Sequence, residues 1–192
     1  MADDTLTTNM DSNDRIGVSS ICVRLDEPFD RIVANNPELK IEQKSTGEIV
    51  FMSPPGGESG RRNSKLSFQL EAWSVVRGGE CFDSSTLFEL PNGAKRSPDA
   101  SWIASERWKQ LTVDEREGYP PICPDFVIEL RSKSDSLVEL QEKMEEYIAN
   151  GAMLGWLIDP YQPRVHVYKP TQTPIILQAP QSISDEVILP EF

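Results

Sequence analysis

A mixed α/β domain, with a central sheet and helices on its faces, is the fold class this sequence predicts. Two amphipathic stretches alternate with short runs rich in Val, Ile and Phe, and such alternation builds sheets covered by helices. The length of 192 residues suits one domain, and a chain of that size buries a sizeable core without disulfides.

Residues 1–20 are rich in Asp, Ser, Thr and Asn and short of large apolar groups, which predicts a disordered tail. An arm runs from Ile21 to Asn36 and Pro37 interrupts it; residues 21–192 are expected to form a single domain with this N-terminal arm. Residues 48–53 (EIVFMS) read as a strand that Pro54, Pro55, Gly56 and Gly57 stop. A helix is expected over about 58–77. Leu66, Leu70, Trp73 and Arg77 share its stripe, with Phe68 and Val76 nearby, and Gly78-Gly79 ends it.

Residues 81–90 suggest a hairpin, followed by the turn Pro91-Asn92-Gly93. Residues 97–104 (SPDASWIA) read as a strand, 106–117 as a short helical connection, and 125–131 (DFVIELR) as the clearest strand. A helix over 136–150 buries Leu137, Leu140, Met144 and Ile148, and two strands, 154–159 and 165–169, close the pattern.

The chain has no apolar run near the roughly 20 residues of a membrane span, and its acidic, polar start lacks the pattern of a signal peptide. A soluble, cytoplasmic protein is expected. Cys22, Cys81 and Cys123 form no CxxC pair and no zinc spacing, which predicts reduced, mostly buried thiols.

The net charge of −12 opposes a nucleic-acid partner, since phosphates avoid an acidic surface. The charge is unevenly spread. Residues 1–60 carry 5 basic and 11 acidic groups, residues 61–135 carry 11 and 12, and residues 136–192 carry 3 and 8. The nearly neutral middle holds the carboxylates of interest, and a bound cation would reverse the local sign.

Alternate side chains of a strand share a face. Asp125, Val127, Glu129 and Arg131 are therefore expected on one face, with Phe126, Ile128 and Leu130 turned the other way into the core. Burying a carboxylate is costly unless it is paired or bound to metal. Asp99 begins another strand after Ser97-Pro98. Two strands with one carboxylate each can hold Mg²⁺, and such an ion can activate water against a phosphodiester.

SPDASWI, PDFVIELRS and LQEKMEEYIANGAMLGWLIDP, together with FMSPPGGESGRRN and FDSSTLFELPNG, resemble the restriction-endonuclease family called Uma-two. The resemblance runs from about residue 40 to about residue 170. It implies a restriction-endonuclease-like mixed β-sheet flanked by helices, of the PD-(D/E)XK type. It also implies a metal-dependent endonuclease acting on phosphodiester bonds of nucleic acid, with Asp99 and Glu129 as the acidic residues that bind Mg²⁺ or Mn²⁺. DNA is the expected substrate, and a homodimer would supply the two sites that cutting a duplex needs.

That motif wants Lys two positions after the second acid, where this chain has Arg131. Arginine keeps its charge but does not titrate near neutrality. Lys143, on the following helix, is the candidate for a migrated lysine, possible help coming from Arg131; Lys133, in an exposed SKSD turn, is the second. Purely structural readings stand beside these. Asp99 and Glu129 could pair with Arg96 and Arg131, and Lys143 with Glu139 four residues earlier. Glu58 could cap its helix or assist catalysis, and Asp125 suits a structural role.

A degenerate nuclease fold that binds nucleic acid or regulates, or a structural or oligomerisation protein, are the alternative functions. Other chemistries fit poorly. GGESGRRNSK lacks the Gly-Lys-Ser/Thr of a phosphate loop. His166 is the only histidine and lies in an alternating strand, so a core or solvated role is expected. No GxSxG elbow is present.

Overall fold

Two sheets, rather than the one central sheet expected, organise the computed structural model, which describes residues 20–23 and 27–192. The expected disorder of the tail falls on residues outside the described ones, apart from Ser20, which opens a strand. The arm contains β1 (Ser20–Val23) and α1 (Phe29–Asn35). Then come β2 (Ile41–Gln43), β3 (Ile49–Met52), α2 (Gly57–Arg77), β4 (Glu80–Asp83), β5 (Phe88–Glu89), β6 (Lys95–Arg96) and β7 (Ala100–Ile103). After α3 (Ser105–Gln110) and α4 (Val113–Glu117) follow β8 (Phe126–Leu130), α5 (Leu137–Ala149), β9 (Leu154–Asp159), β10 (Arg164–Tyr168) and β11 (Ile175–Gln178).

The smaller sheet has the order β1-β3-β2-β6-β5, and the larger β11-β10-β9-β8-β7-β4. The expected hairpin over 81–90 does not form. Strand β4 pairs with β7 in the larger sheet, while β5 pairs with β6 in the smaller one. Asp83 explains the parting: its carboxylate accepts from the N–H and hydroxyl of Ser85, a local turn that leads the chain out of the larger sheet. The true hairpin is β5–β6, closed at Pro91-Asn92-Gly93, where Gly93 takes φ 83°.

All five residues of β8 are buried, so both of its faces are core. Phe126 and Ile128 pack with Leu70 and Trp73 of α2. Val127 packs with Met144 and Tyr147 of α5. The expectation of one core face therefore becomes two, with α2 on one side of the larger sheet and α5 on the other. Leu66, Leu70 and Trp73 face the sheet as expected, whereas Phe68 and Val76 lie on the exposed side of α2.

Strands β8 and β9 run parallel, Phe126 opposite Leu154 and Glu129 opposite Leu157. A parallel pair needs a long crossover, and α5 supplies it. The Met144 side chain of α5 reaches β9 at Gly155, where an added Cβ would lie 2.3 Å from Met144 Cε. Among the described residues, no helix is long and apolar enough to cross a membrane.

Gly155→Ala should push the Met144 methyl aside and cost about 1 kcal/mol of stability, the low end for overpacking because the atom met is the flexible end of a side chain, read by urea denaturation. An unchanged midpoint would mean that the Met144 side chain does not press on β9 here.

Candidate active site

Asp99 sits where the chain passes between the sheets. Arg96 ends β6 in the smaller sheet and Ala100 begins β7 in the larger, so Ser97-Pro98-Asp99 bridges the two. Strand β7 pairs with β8, Ala100 opposite Ile128, which brings Asp99 to the Glu129 end of β8. The Asp99 carboxylate is held from two sides. It accepts from the Leu130 N–H at 2.8 Å and from Asn63 Nδ2, on α2, at 2.8 Å.

Glu129 is 4 % exposed. Its Oε1 accepts from the Tyr147 hydroxyl at 3.1 Å and lies 2.8 Å from Lys143 Nζ. Burial pushes its carboxyl up to about 7; the nearby Lys143 amine opposes this, and the charges of Asp99 and Glu42 add to it.

Lys143 does not pair with Glu139. Its amine instead donates to Glu42 Oε1 at 2.8 Å and to the Ser97 carbonyl at 3.3 Å, and it forms an ion pair with Glu129 Oε1 at 2.8 Å. An ammonium has three N–H donors, and here three oxygens lie close to it. Burial disfavours the charged amine, but Glu129 and Glu42 outweigh burial and hold it protonated well above the usual lysine range.

Glu42 escaped the sequence reading. It belongs to the three-residue strand β2, too short for a period to show, and nothing in KIEQ marks the acid as special. In the fold Glu42 is 2 % exposed. Its Oε1 accepts from the Ser97 N–H at 2.9 Å as well as from Lys143, and its Oε2 from Arg96 at 3.1 Å. Arg96 also donates to Glu146 at 2.6 Å. Burial pushes the Glu42 carboxyl up, but Lys143, Arg96 and the Ser97 N–H together bring it below its ordinary value. Of the two acids that share the amine, Glu42 is the one that stays ionised.

Glu42, Asn63, Asp99, Glu129, Lys143 and Glu146 all line one cleft of about 920 Å³. Its mouth includes the Pro54–Gly57 loop, the start of α2, and Lys133. Arg131 is not brought there. Strand β8 ends at Leu130, so period-two placement stops one residue short. Arg131 donates instead to Asp159 at 2.9 Å and to the Asp135 carbonyl at 3.3 Å. Neither Arg96 nor Arg131 pairs with Asp99 or Glu129, which removes the structural pairing considered for those acids.

The remaining candidates fall as follows. Glu58 lines the cleft mouth and pairs with Arg61 at 2.6 Å and Arg62 at 3.1 Å; the N-cap is Gly56, which makes no side-chain cap. Asp125 accepts from the Ala104 N–H and from Arg107, a structural role that ties α3 to β8. His166 is buried in β10 and lines no part of the cleft. Cys81 and Cys123 are free thiols, Cys123 buried.

Two features bear on a cation. Among the described residues Lys143 and Arg96 pair with Glu42, Glu129 and Glu146, while Asp99 is held by neutral donors alone, so acids outnumber the cations at this end of the cleft. The buried Asn63 Oδ1, whose amide holds Asp99, has no hydrogen-bond partner. Oxygen donors with excess negative charge suit a hard divalent ion. Among the described residues, however, no three His, Cys, Asp or Glu side chains converge closely enough to form a preassembled metal cage.

The Arg131–Asp159 pair generates a test of its own. Burial would raise the Asp159 carboxyl, but the N–H groups of Gln162 and Tyr161 and the Arg131 guanidinium hold it below its ordinary value. A depressed folded value means stability that is present above the unfolded carboxylate range and lost as pH falls through the folded value. Arg131→Ala should cost about 1–3 kcal/mol at neutral pH, and the gap to wild type should narrow on acidification. Denaturation at a series of pH values measures this; a pH-independent gap would remove the ion pair as its cause.

The comparisons with known proteins agree with this architecture. No curated protein matches the chain. Among solved structures, the "Crystal structure of a putative nuclease belonging to DUF820 from Anabaena variabilis ATCC 29413" superposes with a TM-score of 0.69 at 22 % identity. The match covers 81 % of this chain and 86 % of that one, a likeness of fold. The family whose description reads "Putative restriction endonuclease" matches residues 26–192. With nearly the whole described chain inside that match, the protein belongs to the Uma2 family and carries its nuclease fold.

Proposed function

We propose that this protein hydrolyses phosphodiester bonds of DNA in a reaction that depends on Mg²⁺ or Mn²⁺, with Asp99 and Glu129 as the metal carboxylates and Lys143 in place of the motif lysine. The observation that carries this reading is the position of the Lys143 amine, 2.8 Å from Glu129 in the cleft that Asp99 also lines. A residue 14 positions beyond Glu129 thus supplies the cation that the motif expects two positions beyond it. Arg131, at the motif position, is committed to Asp159.

When bound, the ion would activate a water and offset the charge that develops on the phosphate. The chain's own groups supply the rest. The Leu130 N–H and Asn63 orient Asp99, and the Tyr147 hydroxyl orients Glu129. The Lys143 amine can present an N–H to the attacking water or to a phosphate oxygen as negative charge grows. Its charge serves as an electrostatic donor, because its raised proton affinity makes it a poor base at neutral pH. Lys40 and Lys133 at the cleft wall offer phosphate partners on an otherwise acidic protein.

Calorimetry and thermal melts with Mg²⁺ and Mn²⁺ test the metal. Wild type should bind and gain melting temperature through linkage, and Asp99→Ala and Glu129→Ala should lose that gain. Absence of any shift at millimolar metal would favour a structural protein. Lys143→Ala should lower DNA cleavage about 10²–10³-fold, the usual effect of losing one transition-state donor, while still binding metal. Arg131→Ala should remain active at temperatures where it stays folded. Metal binding with no cleavage of DNA or RNA by wild type would make the domain a degenerate, binding member of its fold.

A further inference from the structure

We propose that Glu42 is a positioning residue that keeps the Lys143 amine in the cleft when a cation engages the Glu129 carboxylate. The inference rests on the reading of Asp99 and Glu129 as the cation-binding acids, and it adds the smaller sheet to the working parts of the site.

Three oxygens surround the amine: Glu42 Oε1 at 2.8 Å, Glu129 Oε1 at 2.8 Å and the Ser97 carbonyl at 3.3 Å. A divalent ion on the Glu129 carboxylate weakens that group's hold on the ammonium, because the two cations repel. Lys143 then has only a weakened contact to Glu129. With Glu42 present it keeps a carboxylate and a carbonyl, and one N–H is released for water or phosphate. Without Glu42 a single carbonyl holds the end of a flexible four-carbon stem, too little to fix it.

Glu42 is itself anchored independently of Glu129. Its Oε1 also accepts from the Ser97 N–H at 2.9 Å, and its Oε2 accepts from Arg96 at 3.1 Å. Arg96 is steadied in turn by Glu146 at 2.6 Å. The anchor therefore remains in place when Glu129 changes partners. Ser97 couples it to the other half of the site, since the same residue meets Glu42 through its N–H and Lys143 through its carbonyl, two positions before Asp99.

Proton–nitrogen correlation NMR of the lysine ammonium groups tests this on the full chain, with Lys143→Met to assign the signal. A buried, hydrogen-bonded ammonium exchanges slowly and stays visible. Wild type should show the Lys143 signal both without and with Mg²⁺. Glu42→Gln, which keeps shape and removes charge, should show it without Mg²⁺ and lose it with Mg²⁺. The same variant should lose about 10²-fold in kcat, as small misplacements of a reacting group do, with KM for DNA and Mg²⁺ affinity nearly unchanged. Loss of the wild-type signal on adding Mg²⁺, or its survival in Glu42→Gln with Mg²⁺, would overturn the proposal. Should Glu42→Gln fail to fold, Glu42→Asp keeps the charge but draws it back by one methylene; a broadened signal with Mg²⁺ is expected, and an unchanged one counts against the role. Calorimetry separates the two levels of inference. No Mg²⁺ binding by wild type defeats the metal reading and this one together, whereas binding with contrary NMR behaviour defeats only the role of Glu42.

Discussion

A single buried amine, Lys143 shared between Glu42 and Glu129, is the interaction on which the rest of the site depends. It joins three separate elements: β2 of the smaller sheet, β8 of the larger sheet, and α5. A buried ion pair adds little net stability, since desolvation consumes most of the attraction, but removing one partner is costly because the other is left uncompensated. Cores made of Leu, Ile and Phe could hold these elements together equally well. A retained polar cluster beneath an open cleft is therefore better explained by what it does than by what it stabilises.

The charges in that cluster are not balanced, and the imbalance has consequences. Glu42 has both Lys143 and Arg96 and stays ionised. Glu129 has the lysine only in part, lies near Asp99, and is raised by its burial to about 7. Two adjacent acids in similar burial thus have opposite tendencies, which is how one environment assigns two roles. Glu42 acts as fixed counter-charge, while Glu129 is an acceptor whose ionised form would gain from an additional cation. The excess of negative charge in the cleft points the same way.

The arginine that stands where the motif wants lysine has a partner of its own. Strand β8 ends before Arg131, and the buried Asp159 takes the guanidinium as its partner. In the function proposed, the cationic role falls to a group that reaches Glu129 from above the sheet. Helix α5 meets that need because it is the crossover between two parallel strands and must pass over β8. Met144 and Tyr147 enter the core beside Val127, the Met144 methyl lying against Gly155 of β9, and Lys143 reaches the acid.

Local chemistry settled much by itself. Residues 126–130 and 154–159 are strands, as their short apolar runs predict. Gly78 and Gly79, both at positive φ, end α2 as their lack of a Cβ allows. Asp99 and Glu129 could be picked out as candidates, since a carboxylate inside an apolar strand needs a partner wherever the strand lies, whereas Lys143 was a candidate only through the resemblance, which asks for a lysine where this chain has Arg131. The division into two sheets was not legible, because β2, β5 and β6 are two or three residues long, shorter than any period can show. Pairing between distant segments decided it. The same limit hid Glu42, whose partner Lys143 is 101 positions away. Alternation says which face a side chain takes, but it says nothing about which distant strand faces it, or where a strand stops. Those were decided in three dimensions, by the turn at Asp83 that separates β4 from β5 and by the strand end that turns Arg131 away from the cleft.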